Sequence, residues 1–182
     1  MASNSPRRKE LLAGLDVDYE VRVLPGIDES YPDGLSGEEI PQYISRKKAE
    51  AYEAIMQPDE LIITADTIVW TDGRVLGKPK DEADAVRMLR ALSGRAHRVH
   101  TGVCICRGRR AAATVETTSV HFSSIEEDDL RIYVRTPEPY DKAGAYAIQG
   151  HAALWCAGIE GCYYNIMGLP VHRTAQLLRE FT

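Results

Sequence analysis

The sequence predicts a mixed α/β domain, and three observations carry that expectation. Helical and extended hydrophobic patterns alternate along the chain. Residues 61–70, Leu-Ile-Ile-Thr-Ala-Asp-Thr-Ile-Val-Trp, are rich in β-branched side chains and read as a strand. Start and stop signals bracket the helical segments between such runs. With 182 residues and 44% hydrophobic content, the chain can bury a sizeable core without staples. No repeat, low-complexity tract or linker divides it.

Ser5-Pro6 opens the first helix, because Ser is a good N-cap and Pro suits the first helical position. Leu11, Leu12 and Leu15 supply its apolar face, and Gly14 is its stop. Residues 19–24 alternate like a short strand and lead into a turn-rich stretch from Pro25-Gly26 to Pro32-Asp33-Gly34. A helix is expected over about 39–56, with Ser36 and Glu39 as a capping box and Pro41 favouring a start near Ile40. Its stripe of Ile40, Ile44, Ala51 and Ile55 places Lys48, at the i+4 position from Ile44, on the buried side.

After the 61–70 strand, Asp72-Gly73 is a two-residue hairpin signal, and Arg74-Val75-Leu76 returns toward Gly77-Lys78-Pro79. Asp81 caps a helix through Leu92, with Val86, Leu89 and Leu92 inward and Gly94 as its stop. Strands over 97–106 and 112–122 follow, joined near Gly108. Ser124 with Glu127 caps a helix to about Arg135, which Pro137 and Pro139 end. A Gly-rich stretch with short extended pieces fills 144–168, and Pro170 starts a final helix to Phe181.

The formal net charge is −5, so no general attraction to nucleic acid or an anionic membrane is expected. A polyanionic ligand would have to be caught by local cations. No run approaches the roughly 18–20 apolar residues of a membrane span. No signal peptide is evident, since the first apolar pair, Leu11-Leu12, follows Pro6-Arg7-Arg8-Lys9. Cys104, Cys106, Cys156 and Cys162 form no CxxC pair and read as reduced core thiols. These features together predict a cytoplasmic protein.

Several residues do not fit a plain core. Asp66 sits inside the most apolar strand, where a carboxylate must be paired, bound to metal or exposed at a site; a strand-end Asp bonding a local turn is the bland alternative. Lys48 either snorkels or serves a site. The hairpin at Asp72-Gly73 carries Lys78 opposite Thr67, beside Asp66, although strict alternation would put Lys78 and Asp66 on opposite faces. Arg7 and Arg8 lie in a first helical turn, against the helix dipole, which suits a phosphate chain between them as well as two solvated arginines. Asp28-Glu29 is a loop acidic pair that is either solvated or, with Asp66, able to hold a hard divalent cation. His97, His100, His121, His151 and His172 show no metal-ligand spacing and are read as structural or surface residues.

Taken together these residues resemble the Maf family of septum-formation-inhibitor-like nucleotide pyrophosphatases. The matching runs are Ala2 to Leu12, Lys48-Ala49, Ala65-Asp66-Thr67, Gly77-Lys78-Pro79, Leu92-Ser93-Gly94, Asp141 to Tyr146, and Tyr164 to Pro170. They stand in family order and cover nearly the whole chain, which implies one domain over residues 1–182. The resemblance implies an α/β fold with an elongated mixed sheet flanked by helices and two lobes around a central cleft. It also implies metal-dependent hydrolysis of nucleoside triphosphates between the α and β phosphates.

By the same resemblance, Asp66 is the proton acceptor, and Ser5, Arg7, Arg8, Glu29, Lys48 and Lys78 line the phosphate and metal site. Glu29 and Asp66 would hold Mg2+ or Mn2+; whether Asp66 acts as base or ligand stays open. Arg7, Thr67 and Gln149 resemble the subgroup that takes dTTP and UTP, with Thr67 and Gln149 framing the base and modified pyrimidine nucleotides as further candidates. The departure is at the start. Family members usually begin with a short apolar strand, and here the Ala-Ser-x-Ser-Pro-Arg run begins at Ala2, so that strand is expected to be missing or a stub. The expected partner is the nucleotide, with neither nucleic acid nor membrane; a homodimer stays open. The competing expectation is a non-catalytic nucleotide-binding regulator of cell division.

Overall fold

The computed structural model describes residues 1–181. Its centre is a five-stranded sheet in the order β2-β1-β3-β4-β5, comprising β1 (Ile62–Thr71), β2 (Arg74–Leu76), β3 (Ala96–Arg107), β4 (Arg110–Phe122) and β5 (Cys156–Glu160). The β1–β2 hairpin turns at Asp72 and Gly73, both with positive φ, and pairs Thr71 with Arg74 as expected. Among the described residues six α-helices surround the sheet, α1 (Pro6–Ala13), α2 (Glu39–Glu50), α3 (Glu82–Leu92), α4 (Glu127–Tyr133), α5 (Tyr163–Met167) and α6 (Val171–Arg179), with short 3-10 turns at Glu138–Asp141, Ala143–Ala145 and His151–Trp155. Their starts at α1 and α3 follow the sequence closely. Ser5 Oγ accepts from the Arg8 N–H, and Asp81 Oδ1 accepts from the Asp84 N–H.

Alternation along β1 sorts its side chains. Thr64 and Ile68 face α2: the Thr64 hydroxyl donates to the Ser45 carbonyl at 2.6 Å, and Ile68 packs with Ile40 and Ile44. Ile63, Ala65 and Val69 face the other side. There the cover is divided. Ile63 and Ala65 join a core with Leu11, Leu12, Leu169, Leu177 and Phe181, while Val69 joins a second core with Leu89, Leu92, Val120, Leu130 and Trp155. Two apolar cores on one sheet, with β1 running between them, give the lobes that flank a cleft.

The β1 edge is also divided. β2 covers it only from Val69 to Thr71, and at the other end the Ala2 N–H donates to the Ile63 carbonyl at 2.9 Å. The stretch between is an open strand edge, and the cleft lies along it. A residue on either face of β1 can therefore reach the same cavity. This removes the difficulty that alternation puts Asp66 and Lys78 on opposite faces.

Several expectations are corrected. All four pairings in the sheet are antiparallel, not mixed; ahead of α1 the Ala2 N–H to Ile63 carbonyl bond meets β1 without forming a strand. Residues 19–24 are extended but form no strand; Arg22 N–H to Met1 carbonyl, the Met1 amino group to Glu20 carbonyl, Tyr52 to Leu24 N–H and Arg22 carbonyl, and the Arg22–Glu60 ion pair tie them in. The long helix ends at Glu50, where the chain tightens into i to i+3 turns over 51–55, and Ile55 is exposed. Ser124 does not cap α4. Its N-cap is Glu126 without a side-chain bond, and the Ser93 hydroxyl takes the Ile125 N–H instead.

Candidate active site

Asp66 is nearly buried, and its Oδ1 lies 2.9 Å from the Lys48 ammonium. The same ammonium is 3.0 Å from Glu29 Oε1. Lys48 reaches this point because α2 lies close on the sheet; the Pro41 carbonyl comes near enough to β3 that Gly102, opposite Asp66 in the ladder, has no room for a Cβ. Glu29 is delivered by the 25–34 loop. That loop is tied to α2 by the preceding lysine, since Lys47 Nζ donates to Asp28 Oδ2 at 2.7 Å and to the Ser30 carbonyl at 3.0 Å. The Lys47 bond, followed by those from Ser30, holds the Asp28 carboxyl well below its usual range. Successive lysines on α2 thus grip successive acids in the loop.

Arg8 sits across the open edge of β1. Its Nη1 donates to the Ala65 carbonyl at 2.9 Å, its Nε to the Gly168 carbonyl at 2.8 Å, and its Nη2 to Thr67 Oγ1 at 3.0 Å. The guanidinium thereby supplies at Ala65 the donor a neighbouring strand would have supplied. Burial pulls Arg8 below its ordinary value and the Asp66 charge opposes that; it stays cationic. Gly168 is required here, with φ of 108° and Arg8 Nε and Thr67 Oγ1 close to where a Cβ would stand. Thr67 Oγ1 also pairs with Thr101 Oγ1 at 2.9 Å, and Thr101 donates to the Asn165 carbonyl at 3.0 Å. Asn165, fully buried, donates to the Val99 carbonyl and Thr118 Oγ1. Neither Thr101 nor Asn165 was assigned a part from sequence. Asn165 stood inside a matching run, but only the fold brings it against β3 and β4.

One cavity of about 760 Å3 is lined by Ser5, Arg7, Arg8, Glu29, Lys48, Asp66, Thr67, Lys78 and Gln149, whereas Asp28 of the acidic pair stays outside it, on Lys47. Lys78 is exposed and follows the end of β2, where the Gly77 carbonyl accepts from the Gly144 N–H at 3.0 Å. Arg7 reaches across the cleft to Asp141 Oδ2 at 3.0 Å. Partial burial raises the Asp141 carboxyl, and the hydrogen bonds from Lys142 and Arg7 outweigh it, leaving it below the usual range. Asp141 was another residue in a matching run whose site contact is visible only in the fold. Gln149 is exposed in the opposite lobe, just ahead of Gly150, where a Cβ would collide with the Glu138 carboxylate.

The arrangement is able to take a polyanion beside one recessed acid: Arg7, Lys48 and Lys78 line the cavity with Asp66, and Arg8 braces the strand that carries it. The chain is 55% identical over 174 residues to a dTTP/UTP pyrophosphatase of Bacteroides thetaiotaomicron, covering 95% of this chain and 90% of the relative. It is 49% identical to one of Bacteroides fragilis (strain YCH46) over 181 residues, covering 99% of this chain and 94% of the relative. A dTTP/UTP pyrophosphatase of Pelotomaculum thermopropionicum is 44% identical over 183 residues, covering 100% and 95%. Residues 1–181 match the family described as Maf-like protein, and with a match of that extent the chain belongs to the Maf family.

Proposed function

We propose that this chain is a nucleoside triphosphate pyrophosphatase that hydrolyses dTTP and UTP to the monophosphate and pyrophosphate. The carrying observation is the convergence of Asp66 with Lys48, Lys78 and Arg7 in one cleft; the names of relatives about half identical over nearly the full length support the substrate.

The chemistry follows from the charges. A triphosphate brings about four negative charges near neutral pH, and phosphoryl-type transfers depend chiefly on positioning and charge stabilisation. Arg7, Lys48 and Lys78 offset the phosphates. Asp66 accepts the proton of the attacking water as the new oxygen–phosphorus bond forms at the α-phosphorus and the bond to the β-phosphate bridge breaks. Pyrophosphate leaves. Gln149 offers an amide donor and acceptor to the pyrimidine edge, and Thr67, held by Arg8 and Thr101, frames it.

A divalent metal fits the residues present. Glu29 Oε1 and Asp66 Oδ1 already converge on one cation, the Lys48 ammonium, and carboxylate oxygens suit a hard ion whose other ligands are water and phosphate oxygens. Among the described residues no group of three or more His, Cys, Asp or Glu side chains gathers to hold a metal. When bound, Mg2+ or Mn2+ supplies charge neutralisation and a lower water pKa. A cytoplasmic setting belongs to the same proposal, supported by Cys104, Cys106, Cys156 and Cys162, all unpaired thiols. No helix among the described residues is long and apolar enough to cross a membrane.

The test is a pyrophosphate-release screen over canonical and modified nucleotides with Mg2+ or Mn2+. Release from dTTP and UTP ahead of purine nucleotides is expected. Binding of these nucleotides with no release would return the chain to the non-catalytic regulator.

A further inference from the structure

The Lys48 ammonium occupies the point between Glu29 and Asp66 that a divalent ion would take. A cation held by both carboxylates cannot share that point with a second cation. We propose that Lys48 is an exchangeable cation: it holds Glu29 and Asp66 together in the nucleotide-free protein and leaves them for phosphate oxygens when the metal arrives. This rests on the pyrophosphatase reading above and adds to it an order of events at the site.

Three features make the exchange feasible. First, the Lys48 ammonium lies within 3.0 Å of both carboxylates, so a divalent ion at that point takes two oxygen ligands and brings twice the charge. Second, Lys48 carries its charge on a flexible four-carbon stem, and it lines the same cavity as Arg7 and Lys78. It therefore has an anion to turn to only when a phosphate chain is present. Third, the backbone that carries Glu29 does not depend on Lys48 for its place. The Lys47 bonds to Asp28 and Ser30 fasten the loop to α2 independently. The loop and the strand that carry the two carboxylates thus stay in position while the ammonium moves. In the nucleotide-free protein Lys48 also offsets the repulsion between Glu29 and Asp66, so the site is assembled before its ligands come.

The experiment is a Mn2+ titration of the full chain without nucleotide, read by the electron paramagnetic resonance of free Mn2+. Lys48→Met removes the competing charge and is expected to bind Mn2+ about tenfold more tightly than the wild type. Lys48→Arg keeps the charge and is expected to bind no better than wild type. Asp66→Asn added to Lys48→Met is expected to cancel the gain. Equal or weaker Mn2+ binding by Lys48→Met overturns the proposal. Should that variant not fold, Lys48→Gln, which keeps a donor without the charge, gives the same comparison. The wild-type protein is assayed separately for pyrophosphate release with Mn2+ and dTTP. Failure of that assay sinks the enzyme reading, whereas the titration reports only on Lys48.

Discussion

The Pro41 carbonyl oxygen lies so close to Gly102 that a Cβ on that glycine would stand 2.2 Å from it. The other near atoms, the Pro41 carbonyl carbon and the Gln42 nitrogen, are backbone too, so no side chain can swing aside. Gly102→Ala must push α2 off the sheet. An overpacking cost of roughly 1–3 kcal/mol is expected, a fall in Tm of roughly 2–12 °C. Because α2 carries Lys48, activity is expected to drop by about 100-fold as the site loses its alignment. Gly158→Ala, where nothing lies within 4 Å of the new Cβ, is the control and should leave Tm unchanged. Thermal melts and dTTP turnover of both variants decide the matter.

Asp66→Asn keeps the shape of the acid and removes its charge and its proton-accepting capacity. Pyrophosphate release is expected to fall by about 100-fold to 10,000-fold, with nucleotide binding retained because the cations around the cleft remain. Isothermal titration with a non-hydrolysable dTTP analogue, run beside the release assay, separates the effects. Full activity in this variant would remove Asp66 from the mechanism.

Thr101→Val is nearly isosteric and deletes one hydroxyl between Thr67 and Asn165. A stability loss of about 1–2 kcal/mol is expected from the broken buried bonds. Thr67 keeps Arg8 as a partner but loses its second anchor, so KM for UTP should rise several-fold while kcat changes little. A variant with unchanged KM would detach Thr101 from base positioning and leave it a purely structural residue.

His97 gives a pH dependence with a defined sign. Burial, aided by nearby His121, lowers its pKa from 6.5 to about 4. Its Nε2 meets the Tyr146 hydroxyl at 2.8 Å, while Nδ1 is buried without a partner, so an imidazolium would bury an unsatisfied donor. The unfolded chain takes up the proton first. Stability from this group is therefore complete above about pH 6.5 and declines as pH falls through 4, with a slope of at most about 1.4 kcal/mol per pH unit. Urea midpoints across this window should show the slope in the wild type and a shallower one in His97→Phe.

What the sequence disclosed was whatever neighbours in the chain determine. Ser5-Pro6, Asp81 and Asp72-Gly73 act within a few residues of themselves, and each forms the cap or turn expected of it. Lys48 could be placed on the inner face of its helix by spacing alone. Its partners could not, because Glu29 and Asp66 come from a loop and a strand elsewhere. Residues 19–24 had the alternation of a strand, yet a strand also needs a ladder, and here Met1 is tied in by two bonds without forming one. Ser124 does not cap α4, since the N-cap is Glu126 without a side-chain bond and the Ile125 N–H ahead of it goes to Ser93, distant in sequence. Arg8 looked like a phosphate ligand by position, and only the fold reveals that its donors go to Ala65, Thr67 and Gly168.

The Arg7–Asp141 pair fastens the mouth of the cleft at a point where one partner is 23% exposed and the other 58%. Exposed ion pairs contribute roughly 0–1 kcal/mol and weaken with ionic strength. The gate is thus held by a clasp weak enough for thermal motion to undo, and an incoming polyphosphate competes for Arg7 with a carboxylate that solvent already weakens. Entry and product departure should then quicken in concentrated salt, even as the grip on the phosphates loosens.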